Sequence, residues 1–160
     1  MSQKYVAVHF FTPQPNGFRF HKAAWPPHVT ILPRLTLGTS LETFTAKLKE
    51  SVQHIQPFKI TITGPEFFGQ DQTIPVLIVD PSPDILKTHT GLLKMCVGLR
   101  CTYDEPAYNG AGYRPHVSVQ KNNTIEVGQT FPLDTITLVD MYPDGDITQR
   151  LVLETYTFGE

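Results

Sequence analysis

The chain has 160 residues, of which 40% are hydrophobic, and a formal net charge of -2. This size predicts one domain over residues 1–160, with enough apolar material to bury a core, and we expect a monomer. The absence of an apolar run of about 18 residues argues against a membrane-spanning helix and favours a cytoplasmic protein. The charge balance argues against a basic surface for gripping long nucleic acid.

Apolar patterning predicts the elements, with strands at period two and helices at steps of three and four. Ser40 is a candidate N-cap for the first helix, and Pro83 fits the first position of the second. In chain order we predict a strand at 5–11, an aromatic segment of ambiguous structure at 18–27, a strand at 28–32 that ends at Pro33, a helix at 40–55, strands at 58–67 and 73–80, a helix at 83–100, and strands at 116–119, 130–142 and 147–158.

Two helices among strands that look antiparallel predict an α+β fold. One helix falls in each half of the chain, which suggests a duplicated β-sheet and helix unit. The sequence shows no linker between the halves, so both belong to a single bilobal domain.

One short motif recurs in the two halves. Residues 27–30 are Pro-His-Val-Thr, and residues 115–118 are Pro-His-Val-Ser. A single His-x-Thr or His-x-Ser match is expected about once by chance in such a chain. Two matches with the same flanking proline and valine, each at the start of a predicted strand, indicate a function.

The spacing has a chemical reason. Residues i and i+2 of a strand point to the same face, so each histidine shares a face with its hydroxyl residue. Two such strands across a cleft offer two imidazoles and two hydroxyls to one phosphate group. Because the ordinary histidine pKa is about 6.5, one imidazole can be neutral and the other protonated near neutral pH. His28 and His116 are therefore the candidate acid and base, and Thr30 and Ser118 the candidate phosphate donors.

Other chemistries have weaker support. Neither motif has neighbouring ligands at the spacing of a zinc site. The acidic residues Asp140, Asp144 and Asp146 lack the full ligand series of a calcium loop and predict a turn. Cys96 and Cys101 are interpreted as reduced structural thiols. We therefore predict no metal and no cofactor.

The two motifs resemble those of the 2H phosphoesterase superfamily, whose best-known bacterial branch is the RNA 2′,3′-cyclic phosphodiesterase, also called 2′-5′ RNA ligase. The resemblance is specific at 27–32 and 115–121 and follows the element order over most of the chain. It implies a bilobal, pseudo-symmetric α+β fold whose central cleft is lined by His28, Thr30, His116 and Ser118. It also implies metal-independent cleavage of cyclic phosphates, 2′-5′ linked oligonucleotides or cyclic dinucleotides.

Two departures from the family pattern concern the second motif. Ser118 stands where threonine is commoner, which keeps the hydroxyl donor. Lys121 stands five positions after His116, where the RNA phosphodiesterase branch usually has arginine. Lysine meets phosphate as a point charge, without the two-pronged contact of arginine.

Substrate contacts are predicted from residues close to the motifs. Aromatic residues stack on bases, and arginines bind phosphates. We rank Trp25, Tyr113 and Arg114 highest as substrate-binding residues, together with Lys121. We expect a small nucleotide or an RNA end as substrate. A binding protein without catalysis, a ligase and an RNA-trimming nuclease remain alternatives.

Overall fold

The computed structural model describes residues 3–159. Two antiparallel sheets and two helices form the molecule. The strands are β1 (Tyr5–Phe10), β2 (Arg19–His21), β3 (His28–Thr36), β4 (Phe58–Phe68), β5 (Ile74–Val79), β6 (Thr102–Tyr103), β7 (His116–Ser118), β8 (Thr130–Leu133), β9 (Thr135–Asp140) and β10 (Gln149–Thr157). The helices are α1 (Leu41–Gln53) and α2 (Pro83–Gly98). The mixed α and β architecture predicted from the sequence is confirmed.

The strands divide into a six-stranded and a four-stranded sheet. The larger sheet has the order β2-β10-β9-β1-β3-β6, and the smaller has the order β7-β5-β4-β8. The first motif opens β3, inside the larger sheet, and the second motif forms β7, at the edge of the smaller one. The two copies of the motif therefore lie in different sheets.

Both predicted helices are confirmed to within two residues of their bounds. The Ser40 hydroxyl accepts a hydrogen bond from the Thr43 backbone N–H at 3.1 Å and caps α1, as predicted. The buried side chains of α1, at steps of four, are Phe44, Leu48 and Val52. The helices contact one another, and α2 packs on β3 while α1 packs on β10. None of the described helices is long and apolar enough to cross a membrane.

The six-stranded sheet buries side chains on both faces. One face, with Ala7 and Val29, joins the main core that it shares with the helices and the smaller sheet. The other face forms a second cluster of Val6, Val8, Phe10, Phe20, Trp25, Val139, Met141 and Val152. The segment that was ambiguous in the sequence, 18–27, contains β2 and supplies Phe20 and Trp25 to this second cluster.

Two predicted strand bounds were wrong. Pro33 does not end its strand, because it lies in an irregular register between Leu32 and Leu35, where a bulge tolerates a residue without an N–H. The predicted strand at 130–142 is two strands, separated at Asp134. The chain changes sheets at that point, because β8 pairs with β4 whereas β9 pairs with β1 and β10.

Candidate active site

Hydrogen bonds and a ring stack between the two halves of the chain bring the motif strands together. The Tyr113 hydroxyl, just before β7, donates to the Thr30 carbonyl on β3 at 2.8 Å. The His89 ring of α2 stacks on the Tyr113 ring with 3.8 Å between centroids. His89 Nδ1 lies 2.7 Å from the Ile31 carbonyl, and its Nε2 accepts from the Gly110 backbone N–H at 3.0 Å. These bonds fix β3 against the segment that leads into β7.

The two motif histidines are held in the same way. His28 Nδ1 lies 2.9 Å from the Pro26 carbonyl, and His116 Nδ1 lies 2.7 Å from the Arg114 carbonyl. A carbonyl only accepts hydrogen bonds, so each Nδ1 carries the proton. Each neutral imidazole therefore has its lone pair on Nε2, the nitrogen that is left free of the backbone. Both rings are bonded to the carbonyl two residues before them.

Strand alternation places each hydroxyl beside its histidine. Val29 and Val117, the middle residues of the motifs, are fully buried, whereas the flanking histidine and hydroxyl residues are partly exposed. Within residues 3–159, the hydroxyls of Thr30 and Ser118 make no hydrogen bond to another protein group. Both hydroxyls are therefore available to donate to a bound oxygen atom.

Apolar surroundings keep His28 neutral. The Trp25 ring lies 4.4 Å from the His28 ring, and the Phe10 ring lies 5.9 Å away, edge to face. Burial lowers the pKa of His28 to about 4; the hydrogen bond with Pro26 opposes this, and the charge of His116 adds to it. β3 and β7 contact one another, so the two motif histidines lie on neighbouring strands that belong to different sheets.

His116 has an aromatic neighbour and a cationic one. Its ring lies 4.6 Å from the ring of Phe68 on β4. Burial lowers the pKa of His116, the Arg114 carbonyl raises it, and the positive charge of Arg114 lowers it further. The Arg114 guanidinium lies 4.6 Å over the Phe68 ring and pairs with Glu66 at 2.6 Å.

The aromatic residues ranked as base-stacking groups are buried, and their burial does not favour this prediction. Trp25 is 8% exposed and packs between Phe20 and His28. Tyr113 is 9% exposed, with its ring against His89. A base needs an open ring face to stack on, and neither side chain offers one. Trp25 instead supports the His28 ring, and Tyr113 joins the two motif strands.

The two predicted cationic residues are exposed. Arg114 is next to the site, but its guanidinium is paired with Glu66. Lys121 lies in the turn after β7 and makes no ion pair with a side chain in the described part of the chain. Both remain candidates for phosphate contact.

The sequence interpretation missed Phe10, Phe68 and His89 as residues that hold the site. Phe10 was assigned to a strand and Phe68 directly follows one, and nothing in the sequence placed either beside a histidine. His89 was assigned to the apolar stripe of its helix. The one sequence signal that could have pointed to His89 is a histidine among apolar residues in a predicted helix. His89 is fully buried there, and a buried imidazole requires hydrogen-bond partners.

No group of three or more His, Cys, Asp or Glu side chains within 3–159 is arranged to hold a metal. Asp140 accepts from the Tyr142 N–H, and Asp146 accepts from the Thr148 N–H and hydroxyl, as the turn interpretation predicts. Cys96 and Cys101 are free thiols.

Comparison with known proteins identifies the family. Residues 13–133 match the model of the 2′-5′ RNA ligase superfamily, whereas no curated protein sequence matches the chain. E. coli LigT complexed with 3′-AMP has a similar structure, with a TM-score of 0.64 and 14% identity over 100% of both chains. TT0787 of Thermus thermophilus gives a TM-score of 0.62 and 19% identity over 98% of each chain. A structure described as a phosphoesterase gives 0.63 and 13% over 100% of both. Our chain belongs to the 2′-5′ RNA ligase superfamily and has the fold of the LigT-like 2H phosphoesterases.

Proposed function

We propose that this protein is a metal-independent phosphodiesterase that acts on RNA 2′,3′-cyclic phosphate ends, 2′-5′ linked oligonucleotides or cyclic nucleotides and dinucleotides. The matched histidine pair carries this proposal: in both motifs, Nδ1 is bonded to the carbonyl two residues earlier, and Nε2 is left for chemistry. One imidazole accepts a proton while the other donates one, as displacement at phosphorus requires.

The mechanism we propose begins with proton removal by His28. The Nε2 of neutral His28 takes a proton from water, or from a ribose hydroxyl, as its oxygen forms a bond to phosphorus. The bond from phosphorus to the leaving ribose oxygen breaks, and protonated His116 gives its Nε2 proton to that oxygen. Thr30 and Ser118 donate hydrogen bonds to the non-bridging oxygens, where negative charge accumulates.

The roles of the two histidines follow from their surroundings. Trp25 and Phe10 enclose His28 and favour its neutral form, which suits the base. His116 lies on an edge strand, and among residues 3–159 its only ring contact is with Phe68. The negative charge of a bound phosphate raises the pKa of His116. His116 is therefore assigned as the acid.

A substrate panel tests the proposal. Wild type, His28→Ala and His116→Ala are incubated with EDTA and 2′,3′-cyclic nucleotides, RNA ending in a cyclic phosphate, 2′-5′ linked adenylates, or cyclic dinucleotides. We expect wild type to hydrolyse at least one class and both variants to lose that activity. Near wild-type turnover by either variant would contradict the two-histidine mechanism.

The same panel distinguishes the alternatives. A folded wild-type protein that binds members of the panel without turning any over is a nucleotide or RNA-end binding protein. Product analysis separates hydrolysis of a cyclic phosphate from trimming of RNA ends and from ligation, because the three give products of different length.

A further inference from the structure

A cationic side chain lies on the catalytic face of β3, beyond the two motif residues. Arg34 Nη1 donates to the Tyr142 hydroxyl at 3.4 Å, and the guanidinium lies 5.9 Å from the Tyr142 ring centre. Tyr142 packs on the second hydrophobic cluster, and the same cluster contains Val8 and Phe10, the strand partners of Thr30 and His28. At about 3.3 Å per residue, Arg34 is roughly 13 Å from Thr30 along the strand.

The charge of Arg34 is only partly neutralised. Its acidic neighbour Asp104 is bonded to Lys4 at 2.6 Å, whereas Arg34 Nε is 3.8 Å from the other Asp104 oxygen. A second guanidinium, on Arg150, is held beside the same segment, because its Nη1 donates to the carbonyl of Met141, the residue before Tyr142, at 2.8 Å. Arg150 donates only to backbone carbonyls among the described residues, so no carboxylate balances it there.

Asp140, two residues before Tyr142, does not neutralise Arg34. Asp140 accepts hydrogen bonds from the Gln3 amide and the Tyr142 backbone N–H, and not from Arg34. Lys4 and Arg34 therefore share the carboxylate of Asp104, while Asp140 is bonded to other groups. The Arg34 side chain is 40% exposed, which leaves its guanidinium open to a ligand.

We propose that Arg34, oriented by Tyr142, is a second phosphate-binding site that holds a neighbouring phosphate of an oligonucleotide whose terminal phosphate lies between the two histidines. This deepens the proposed function and rests on it for the position of the terminal phosphate. A mononucleotide is too short to reach both sites, so the protein prefers an oligonucleotide end to a free nucleotide. Arginine suits this role because its planar fork matches phosphate oxygens.

The test measures binding rather than turnover. Calorimetric titration gives the affinities of 3′-AMP and of a 3′-phosphorylated adenosine trinucleotide for wild type, Arg34→Gln and Lys94→Gln. Lys94 is an exposed cation on α2, which packs on β3 from the opposite side, and so controls for the loss of one charge.

We expect wild type to bind the trinucleotide more tightly than 3′-AMP. Arg34→Gln should weaken trinucleotide binding roughly tenfold, the effect of one hydrogen bond to a charged group, and change 3′-AMP binding less than twofold. The slope of log affinity against log salt for the trinucleotide should fall by about 0.7, the value for one phosphate contact on a single strand. Lys94→Gln should match wild type.

Several results would overturn the inference: equal affinity of wild type for the two probes, no trinucleotide binding, or an equal loss for both probes in Arg34→Gln.

Asp104→Asn gives a second measurement that does not depend on the folding of Arg34→Gln. If Arg34 binds phosphate, removing the competing carboxylate tightens trinucleotide binding; if the ion pair is only structural, binding is unchanged or weaker. Tight, Arg34-dependent binding without turnover would reject the proposed function and leave this inference intact.

Discussion

The surroundings of the two motif strands differ, although their histidines are oriented alike. β3 has nine residues and strand neighbours on both sides, whereas β7 has three residues at a sheet edge. His28 packs against Trp25 and Phe10 in a buried cluster. His116 lies beside Phe68 and the more exposed pair of Arg114 with Glu66, whose side chains are 55% and 41% exposed.

Under the proposed mechanism, this difference lets a duplicated motif divide two roles between similar residues. The backbone carbonyl fixes which ring nitrogen is free in both copies, so the strand start alone determines that feature. The protonation state depends on the neighbours, which the motif does not contain. The predictions below test whether the two strands differ in role as they differ in environment.

The largest expected effect separates the acid from the base. Each histidine-to-alanine change should reduce kcat by about 10²- to 10⁴-fold on a substrate with a ribose leaving group, the range for general acid or base catalysis. On a p-nitrophenyl phosphodiester, whose leaving group needs no proton, His116→Ala should lose much less activity, whereas His28→Ala should lose as much as before. Steady-state kinetics with the two substrates gives the comparison. If His28→Ala is instead the variant that loses much less activity on the p-nitrophenyl substrate, His28 is the acid and His116 is the base.

The hydroxyl partners should give the next largest effect. Thr30→Val and Ser118→Ala each remove one hydrogen bond to the developing negative charge, so kcat should fall about 10- to 100-fold with little change in KM, the effect of one hydrogen bond to a charged group. Ser118→Thr keeps the hydroxyl and serves as the matched control, with turnover close to wild type. A rise in KM alone would mean that the hydroxyls bind substrate without stabilising the transition state.

The pH dependence follows from the two lowered pKa values. In the free enzyme, His28 must be neutral, above a pKa of about 4, and His116 must be protonated, below a pKa that burial holds under its usual range. We expect kcat/KM to be maximal between about 4 and 6.5, the ordinary histidine value, and to fall on both sides. The kcat profile should lie at higher pH, because the bound phosphate raises both pKa values.

Trp25→Leu tests the cause of the lowered pKa at His28. Exposing the imidazole should raise its pKa towards 6.5 and move the acid limb of kcat/KM to higher pH. Phe20→Leu is the matched control, since Phe20 packs on Trp25 in the same cluster and its ring does not contact the His28 ring. An equal shift of the acid limb in both variants would assign the effect to general loosening of the cluster.

The smallest expected effect concerns the hydrogen bond that joins Tyr113, just before β7, to β3. Tyr113→Phe removes the hydrogen bond to the Thr30 carbonyl and should lower the free energy of unfolding by about 1 kcal/mol. We expect kcat to fall several-fold, because β3 and β7 are less well aligned. Denaturant unfolding and kinetics measure the two effects, with the exposed Tyr108→Phe as control. Unchanged kcat with reduced stability would restrict Tyr113 to a structural role.

The helices and the motif residues could be predicted from the sequence, because the patterns that reveal them lie within short stretches of the chain. Periodicity located both helices, and repetition of Pro-His-Val with a hydroxyl residue singled out His28 and His116. The burial of Trp25 and Tyr113 was not predictable, because an aromatic residue near a histidine can either pack beneath it or border the cleft. The ion pair of Arg114 with Glu66 also could not be predicted, because the tertiary fold brings together residues that are 48 positions apart.

If both imidazoles act on one phosphate group, a histidine titration by NMR should detect the group at both rings. The ring resonances of His28, His116 and His89 are followed against pH, with and without saturating 3′-AMP. We predict that the ligand raises the pKa of both His28 and His116, because its negative charge lies between them, and leaves the fully buried His89 unchanged. A shift of only one motif histidine, or of neither, would contradict the account.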